Sequence, residues 1–279
     1  MPKELTEWQT RTGGFVGRPV FEEYAAKYSE YFVMRRENGI IELRMHTDGG
    51  PATFGFPTHN AWGQAWQEVG NDPDNEVLIL TGTGDQWLAF GDVALAPEQA
   101  QKLGPAEPPG EFAYEHTYYD AVKLLENMTF GIDIPTIAAI NGPSLAHTEF
   151  ALLCDITLCA ETATIMDPHF LAGAAPGDGL QLGLQELIGT KRAAYHLYTG
   201  QQIDAKTALE LGLVNEVLPT ERLLPRAWQI AEMVMQRSRT TCRLTHAIVQ
   251  RPWKRKLVQD LGFGLAHEMF GLAADKRHG

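Results

Sequence analysis

Apolar runs separated by glycine, proline and asparagine divide the first part of the chain into short strands. Residues 31–37 (YFVMRRE) and 40–46 (IIELRMH) are rich in β-branched and aromatic side chains and flank Asn38-Gly39, a dipeptide typical of a two-residue hairpin turn. Two later segments, 76–84 (EVLILTGTG) and 136–140 (TIAAI), contain continuous apolar runs of strand length. Such runs predict a sheet that is covered on both faces.

Helical spacing of apolar residues alternates with these strands. Segments 60–70, 111–128 and 177–198 have this spacing, and the first helix is expected to follow a loop that ends at His59. Short strands are expected within ITLCA and TIMDP, between the second and third helices. Strand–helix alternation predicts an α/β domain with mostly parallel pairing and right-handed crossovers.

The pattern changes at both ends of the chain. The first residues carry charges and Gly/Pro breaks without a sustained period, whereas the residues after Asp204 are largely amphipathic and helical. We therefore expect an N-terminal arm over 1–20, a core domain over 21–203 and a C-terminal helical region over 204–279.

Composition and charge exclude several classes of function. The chain of 279 residues has 23 basic and 35 acidic side chains, a formal charge of −12, and so disfavours nucleic acid and anionic membranes as partners. The basic segment 251–256 (RPWKRK) is short and is typical of a solvated helix start. The three cysteines have no zinc-site spacing and are interpreted as buried thiols. With no signal-like N-terminus and no apolar run of about 18 residues, we expect a cytoplasmic protein.

The candidate chemistry is concentrated between residues 141 and 180, which contain His147, His169 and Asp178. Asp178 is either a helix N-cap or a carboxylate that accepts a hydrogen bond from His169, and His169 is either a core histidine or a group at a strand end, where α/β folds bind ligands. His147 begins a helix, where it is either a solvated residue of the helix start or a functional group. No spacing typical of a metal site and no phosphate-binding glycine pattern is present, so no metal or cofactor is expected.

Four motifs resemble the crotonase (enoyl-CoA hydratase/isomerase) superfamily. They are EVLILTGTG with WLAFGD, TIAAINGPSLAHTEFALLCD, ATIMDPHFLAGAAPGDG and TGQQIDAKTALELGLVNEVLP. The resemblance implies a crotonase fold, a spiral of ββα units whose C-terminal helical region packs on neighbouring subunits. It also implies a homotrimer or a hexamer built as a dimer of trimers.

The departures from the hydratase pattern are informative. Hydratases have a Gly-Gly-Gly run where this chain has residues 146–148 (AHT), and a catalytic glutamate where it has His169. Asp178 occupies a turn where the family usually has small residues, and Glu149 falls near the second hydratase glutamate. This combination resembles the coenzyme A-independent β-diketone hydrolase branch of the superfamily.

The resemblance to that branch assigns roles to individual residues. It implies a water-activating dyad of His169 and Asp178, with His147 as a donor to the developing oxyanion. It also implies that His59 and Glu268 orient water or move protons. The substrate-binding residues that it implies are Phe54, which replaces a carbonyl-binding tryptophan, Trp87 as a substitute donor or a packing aromatic, Phe90, and Gly91 as an oxyanion N–H.

The resemblance therefore implies a hydrolase that splits a carbon–carbon bond of a cyclic 1,3-diketone by a retro-Claisen reaction, without a cofactor. One alternative is an acyl-CoA hydratase, isomerase or thioesterase with an unusual base. The other is a catalytically silent crotonase-fold protein that acts as a binding partner.

Overall fold

A computed structural model describes residues 18–89, 111 and 113–274. The predicted hairpin is confirmed: β1 (Phe32–Glu37) pairs antiparallel with β2 (Ile40–Met45). Asn38 and Gly39 both have positive φ, 50° and 88°. This conformation suits asparagine and glycine and matches the twist of the two strands.

Four further strands join the hairpin in the central sheet: β3 (Val77–Thr81), β4 (Thr136–Ile140), β5 (Ile156–Ala160) and β8 (Glu216–Leu218). The order of these six strands among the described residues is β1-β2-β3-β4-β5-β8. All neighbours after the hairpin are parallel, as predicted. A small second sheet pairs β6 (Thr164–Ile165) with β7 (Ile203–Asp204).

Helices cover both faces of the central sheet. The α-helices among the described residues are α1 (Phe21–Lys27), α2 (Phe56–Asn71), α3 (Asp120–Glu126), α4 (Glu149–Leu152), α5 (Leu180–Ile188), α6 (Thr190–Thr199), α7 (Ala205–Leu211), α8 (Thr220–Val234), α9 (Arg239–Val249), α10 (Arg251–Lys256) and α11 (Gly262–Ala274). π-Helical turns flank α3 at Ala113–Tyr119 and Asn127–Gly131, and a third precedes α11 at Leu257–Leu261.

Alternate residues of β3 enter two different cores. Leu78 and Leu80 pack in the main apolar cluster with the tryptophans of α2, whereas Val77 and Ile79 pack in a second cluster with α8. Successive side chains of a strand point to opposite faces, so the continuous apolar run follows from coverage on both sides. The α/β architecture expected from that run is confirmed.

Two predicted helix boundaries are wrong. Helix α2 begins at Phe56, because Pro57 has the fixed φ that suits a first helical turn; His59 therefore lies in the helix and not at the end of a loop. The helix predicted over 177–198 is two helices, separated at Gly189, whose φ is 80°.

The C-terminal part of the chain contributes to the sheet before it becomes purely helical. β8 pairs with β5, and α8 covers one face of the sheet. Helices α9 to α11 follow and expose large apolar side chains, among them Ile248, Phe263 and Phe270. The division at residue 204 and the subunit contacts of the following region remain predictions. No helix of the described residues is long and apolar enough to span a bilayer.

The packing of α2 against the second π-helical turn provides a test of the fold. A Cβ on Gly70 would lie 2.1 Å from the carbonyl oxygen of Gly131, whereas a Cβ on Gly63 would meet nothing closer than 3.5 Å. We expect Gly70→Ala to lower the free energy of unfolding by about 1–3 kcal/mol. The matched Gly63→Ala should change it little or raise it by up to about 1 kcal/mol, since alanine is the better helix former. Urea denaturation measures both, and equal effects would contradict the close approach.

Candidate functional site

The candidate site lies at the carboxyl ends of β3 and β4. Asn141, directly after β4, accepts a hydrogen bond from the Gly82 N–H at 3.2 Å and donates to the carbonyl oxygens of Gly84 and Gln86, both at 2.9 Å. These bonds join the loops that leave the two strands. Residues at this edge of a parallel sheet are well placed to form a ligand site.

His147 occupies a special backbone position in the loop after β4. Its φ is 48°, and it precedes Thr148, the N-cap of α4. The indole N–H of Trp87 donates to the His147 carbonyl at 3.3 Å, and the ring of Phe150 stacks on the imidazole. Positive φ is uncommon outside glycine, so these contacts stabilise a conformation that directs this imidazole.

A buried chain of three side chains runs through His147. Its Nδ1 lies 2.5 Å from Oε1 of Glu149, and its Nε2 lies 2.8 Å from Nε2 of His59. Glu149 is only 1% exposed, and both histidines are buried. Both ring nitrogens of His147 are thus engaged within the protein.

His169 is the centre of a second group. Asp167 binds it twice, since Oδ1 lies 2.9 Å from Nδ1 and accepts the His169 backbone N–H at 3.0 Å. On the other side of the ring, Nε2 lies 3.7 Å from Oδ2 of Asp178 and 3.6 Å from Oε1 of Glu268. The imidazole is therefore oriented by Asp167 and faces two further carboxyl groups.

Asp178 connects the two groups. Its Oδ2 lies 3.9 Å from Nδ1 of His147 as well as 3.7 Å from Nε2 of His169. It precedes Gly179, the N-cap of α5, and the Leu180 N–H lies 3.5 Å from its Oδ1. Asp178 thus lies one residue before the N-cap position that its sequence context suggested.

Close packing of two glycines brings Glu268 to the site. A Cβ on Gly177 would lie 2.3 Å from the carbonyl oxygen of Gly264 in α11. Only glycine permits this approach of the turn before α5 to α11. It places Glu268, one turn further along α11, against His169.

The two histidines of the first group have opposite pKa shifts. Burial, together with the neighbouring His147, lowers the pKa of His59 well below its ordinary value. Burial also opposes the charge on His147, but the carboxylates of Glu149 and Asp178 together outweigh it and the pKa of His147 is raised. A positive charge in this pair therefore resides on His147.

Acidic neighbours hold protons in the second group. Burial opposes the charge on His169, but Asp178 and Asp167 outweigh it and raise its pKa to about 10. Burial raises the pKa of Glu268 to about 8, and Asp178 adds to that shift. Burial and Asp178 likewise raise the pKa of Glu149, which belongs to the first group, to about 6. His169 is consequently an imidazolium at neutral pH in the resting protein.

The structure brings together His59, His147, His169, Asp178 and Glu268, the five residues predicted as catalytic. Phe54 packs on the first pair, with its ring centroid 4.6 Å from that of His59 and 5.0 Å from that of His147. Trp87 is fully buried and its N–H is used by the chain itself, which favours its packing role over that of a carbonyl donor. Phe90 and Gly91 lie outside the described residues.

Sequence reasoning missed Asp167 and placed Glu149 only by resemblance. The sequence does contain a signal for Asp167. An aspartate side chain commonly accepts the backbone N–H of the residue two positions later, which here is His169. No comparable signal joins Glu149 to His147, since the contact depends on the direction of the His147 ring.

Two sets of three side chains could hold a metal ion, although the spacing of these residues in the sequence predicts no metal site. They are His147, Glu149 and Asp178, and Asp167, His169 and Asp178, each with ligand atoms within 4.8 Å of one another. Both sets contain an imidazole hydrogen-bonded to a carboxylate. A cation would have to displace that proton, because metal ligands bind in their deprotonated forms.

The chain belongs to the enoyl-CoA hydratase/isomerase family, whose sequence pattern matches residues 35–277. Crotonyl-CoA hydratase of Syntrophomonas wolfei is 31% identical over 73% of this chain and 74% of its own length. Carnitinyl-CoA dehydratase of Salmonella paratyphi A is 29% identical over 74% of this chain and 75% of its own length. The predicted crotonase fold is confirmed.

Solved structures place the chain near a particular branch. A β-diketone hydrolase from Anabaena sp. PCC 7120, bound to (S)-3-oxocyclohexyl acetic acid, is 37% identical, with a TM-score of 0.80 over 89% of this chain and 96% of its own. An enoyl-CoA hydratase/isomerase from Mycobacterium paratuberculosis is 22% identical, with a TM-score of 0.77 over 88% and 95% of the two chains, and shares the fold. The predicted resemblance to the β-diketone hydrolase branch is confirmed.

The orientation of His169 by Asp167 can be tested without a substrate. Asp167→Asn keeps an oxygen that accepts the His169 backbone N–H but removes the negative charge. We expect the pKa of His169 to fall from about 10 toward its ordinary value, because one of its stabilising charges is lost. NMR titration of the imidazole measures it, and the signal of His246, which bonds Asp155 elsewhere in the chain, is the internal control. An unchanged pKa would mean that Asp178 and Glu268 hold the proton without Asp167.

Proposed function

We propose that this protein is a hydrolase that cleaves a carbon–carbon bond of cyclic 1,3-diketones by a retro-Claisen reaction and releases a keto acid. The observation that carries the proposal is the cluster around His169, with an imidazole held by Asp167 and facing Asp178 and Glu268. The likeness to the Anabaena β-diketone hydrolase supports it.

The ligand of the Anabaena structure suggests the class of substrate. It carries a ketone and a carboxylic acid, the two groups that hydrolysis of a 1,3-diketone leaves on one molecule. One of the two ring carbons next to the ketone lies farther from the acetic acid side chain. Joining the carboxyl carbon to that ring carbon, with loss of water, regenerates a bicyclic 1,3-diketone. We propose a cyclic or bicyclic 1,3-diketone of this kind as the substrate here.

The first chemical step is addition of water to one carbonyl. His169, in its neutral form, takes the proton while the water oxygen attacks the carbon. Asp167 fixes the tautomer at Nδ1, so Nε2 is the nitrogen that faces Asp178, Glu268 and the water. Positioned acid–base catalysis of this type contributes roughly a hundredfold to ten thousandfold.

The second step breaks the carbon–carbon bond and leaves an enolate. The remaining carbonyl accepts the electron pair, so the reaction requires no cofactor. Negative charge appears first on the tetrahedral oxygen and then on the enolate. The positive charge that Glu149 stabilises on His147 lies in a water-poor cluster, where electrostatic stabilisation is stronger than in bulk water.

The nearest rival is an acyl-CoA hydratase or isomerase, which the names of the sequence relatives favour. In that class the substrate is a thioester, and the coenzyme supplies much of the binding energy. Calorimetry with a coenzyme A thioester distinguishes the two: tight binding with no diketone cleavage would replace our proposal.

Removing either member of the proposed dyad tests the assignment. We expect His169→Ala and Asp178→Asn to lower kcat for the bicyclic diketone by roughly a hundredfold or more, because the water-activating group or its acidic partner is lost. The matched control Asp204→Asn changes an exposed carboxylate that caps α7 through the Thr207 N–H, and it should leave kcat unchanged. Keto acid formation is followed by chromatography. Undiminished turnover in either variant, with circular dichroism like that of the wild type, would remove that residue from the mechanism.

The dependence of rate on pH decides which form of His169 acts. Its raised pKa of about 10 means that the neutral base becomes more abundant as pH increases toward 10. We expect kcat/KM to increase over pH 6–9, measured with the bicyclic diketone, whose bridgehead hydrogen is not acidic. Circular dichroism of the wild type over the same pH range is the control, because it shows whether the protein stays folded. A rate that instead declines toward pH 10 would make the imidazolium the active form and leave Asp178 as the base.

A further inference from the structure

The hydrogen bonds of His147 leave no ring nitrogen free to reach a substrate. Glu149 holds Nδ1 at 2.5 Å and His59 holds Nε2 at 2.8 Å. In contrast, Nδ1 of His59 is buried without a hydrogen-bond partner among the described residues. The open end of this chain of side chains is therefore on His59.

One proton lies between the two imidazoles. The Glu149 carboxylate accepts Nδ1–H of His147, because a carboxylate can only accept. If His147 is positive, its Nε2–H donates to Nε2 of His59, and His59 carries its own proton on Nδ1. If His147 is neutral, the shared proton belongs to Nε2 of His59, and Nδ1 of His59 carries none.

The surroundings hold the two rings in this arrangement and favour charge on only one of them. The ring of Phe54 packs against both, and His59 is fixed in the first turn of α2. The charged or titratable groups near His147 are Glu149, Asp178, Glu268 and His169, whereas among the described residues His59 has only His147. The carboxylates favour positive charge on His147, and His59 stays neutral before and after a proton passes through it.

We propose that His59, and not His147, delivers the proton to the enolate carbon, and that Glu149 and His147 are positioning residues that recharge it. This inference rests on the proposed function. The Nδ1–H bond of His59 breaks as the new C–H bond forms, and the electron pair of the enolate becomes that bond. The Nε2–H proton of His147 moves to Nε2 of His59, so the positive charge on His147 and the negative charge on the enolate disappear together.

Two isosteric changes separate the two nitrogens of His59. The amide of glutamine reaches the position of Nε2 and keeps a bond to His147, whereas the amide of asparagine reaches that of Nδ1 and does not. Neither amide can accept a proton at one atom and release another, as an imidazole ring can. We expect both variants to lower kcat about a hundredfold, but His59→Gln alone should keep the hydrogen bond of His147 and a KM close to that of the wild type.

Isotope labelling in D2O shows where the proton comes from. Cleavage of the bicyclic diketone leaves the former bridgehead carbon with its own hydrogen and one new deuteron. We expect the wild type to add the deuteron to one face and His59→Gln to add it to both, because the released enolate is then protonated by solvent. Single-face labelling by His59→Gln, or labelling of both faces by the wild type, would overturn the proposal.

Glu149 provides a matched pair of variants. Glu149→Gln removes the charge that keeps His147 positive, so we expect a lower kcat with single-face labelling retained. Glu149→Asp retains the charge and should restore part of the rate. A kcat equal to that of the wild type in Glu149→Gln would exclude the recharging role.

A final measurement does not depend on turnover. Nitrogen-15 NMR of labelled histidines reports which ring nitrogen carries hydrogen. We expect His59 to be protonated on Nδ1 in the wild type at neutral pH and on Nε2 in Glu149→Gln. If the wild type cleaves no diketone, the proposed function fails while this measurement still tests the relay. A wild-type His59 without hydrogen on Nδ1 would overturn the relay even in an active enzyme.

Discussion

Buried negative charge is the constraint on which the site depends. Asp167, Asp178, Glu149 and Glu268 lie together, and the ion pairs of these four carboxyl groups among the described residues are with histidines only. An unpaired carboxylate is costly to bury, so protons must balance the charge. That requirement raises the pKa of His169 to about 10 and that of Glu268 to about 8. His169 and Glu268 therefore hold protons at neutral pH.

The fold supplies this cluster through a small number of close contacts. Asn141 ties together the loops after β3 and β4, and the Trp87 indole fixes the carbonyl of His147. Contact between Gly177 and Gly264 then brings α11, with Glu268, onto the turn that carries Asp178. Groups from distant parts of the chain thus converge because parallel strands end at one edge of the sheet and because glycine allows backbones to touch.

Local patterns were sufficient for the hairpin and for strands β3, β4 and β5, since each depends on neighbouring residues. They failed at the start of α2, where Pro57 extends the helix one turn earlier and carries His59 into it. The candidate residues themselves came from family resemblance, because spacing alone left His147 and His169 with more than one interpretation. The bond from His59 to His147 was beyond either approach, because it joins residues 88 positions apart.

Two imidazole groups, those of His169 and His147, determine what this edge of the sheet can do chemically. A backbone N–H can only donate, whereas an imidazole can donate, accept and carry charge. A 1,3-diketone needs those abilities in turn, since water must lose a proton before the carbon–carbon bond breaks and the enolate must gain one afterwards. The two imidazole groups meet at Asp178, 3.7 Å from His169 and 3.9 Å from His147. One carboxylate therefore lies between His169 and the hydrogen-bonded pair of His147 and His59.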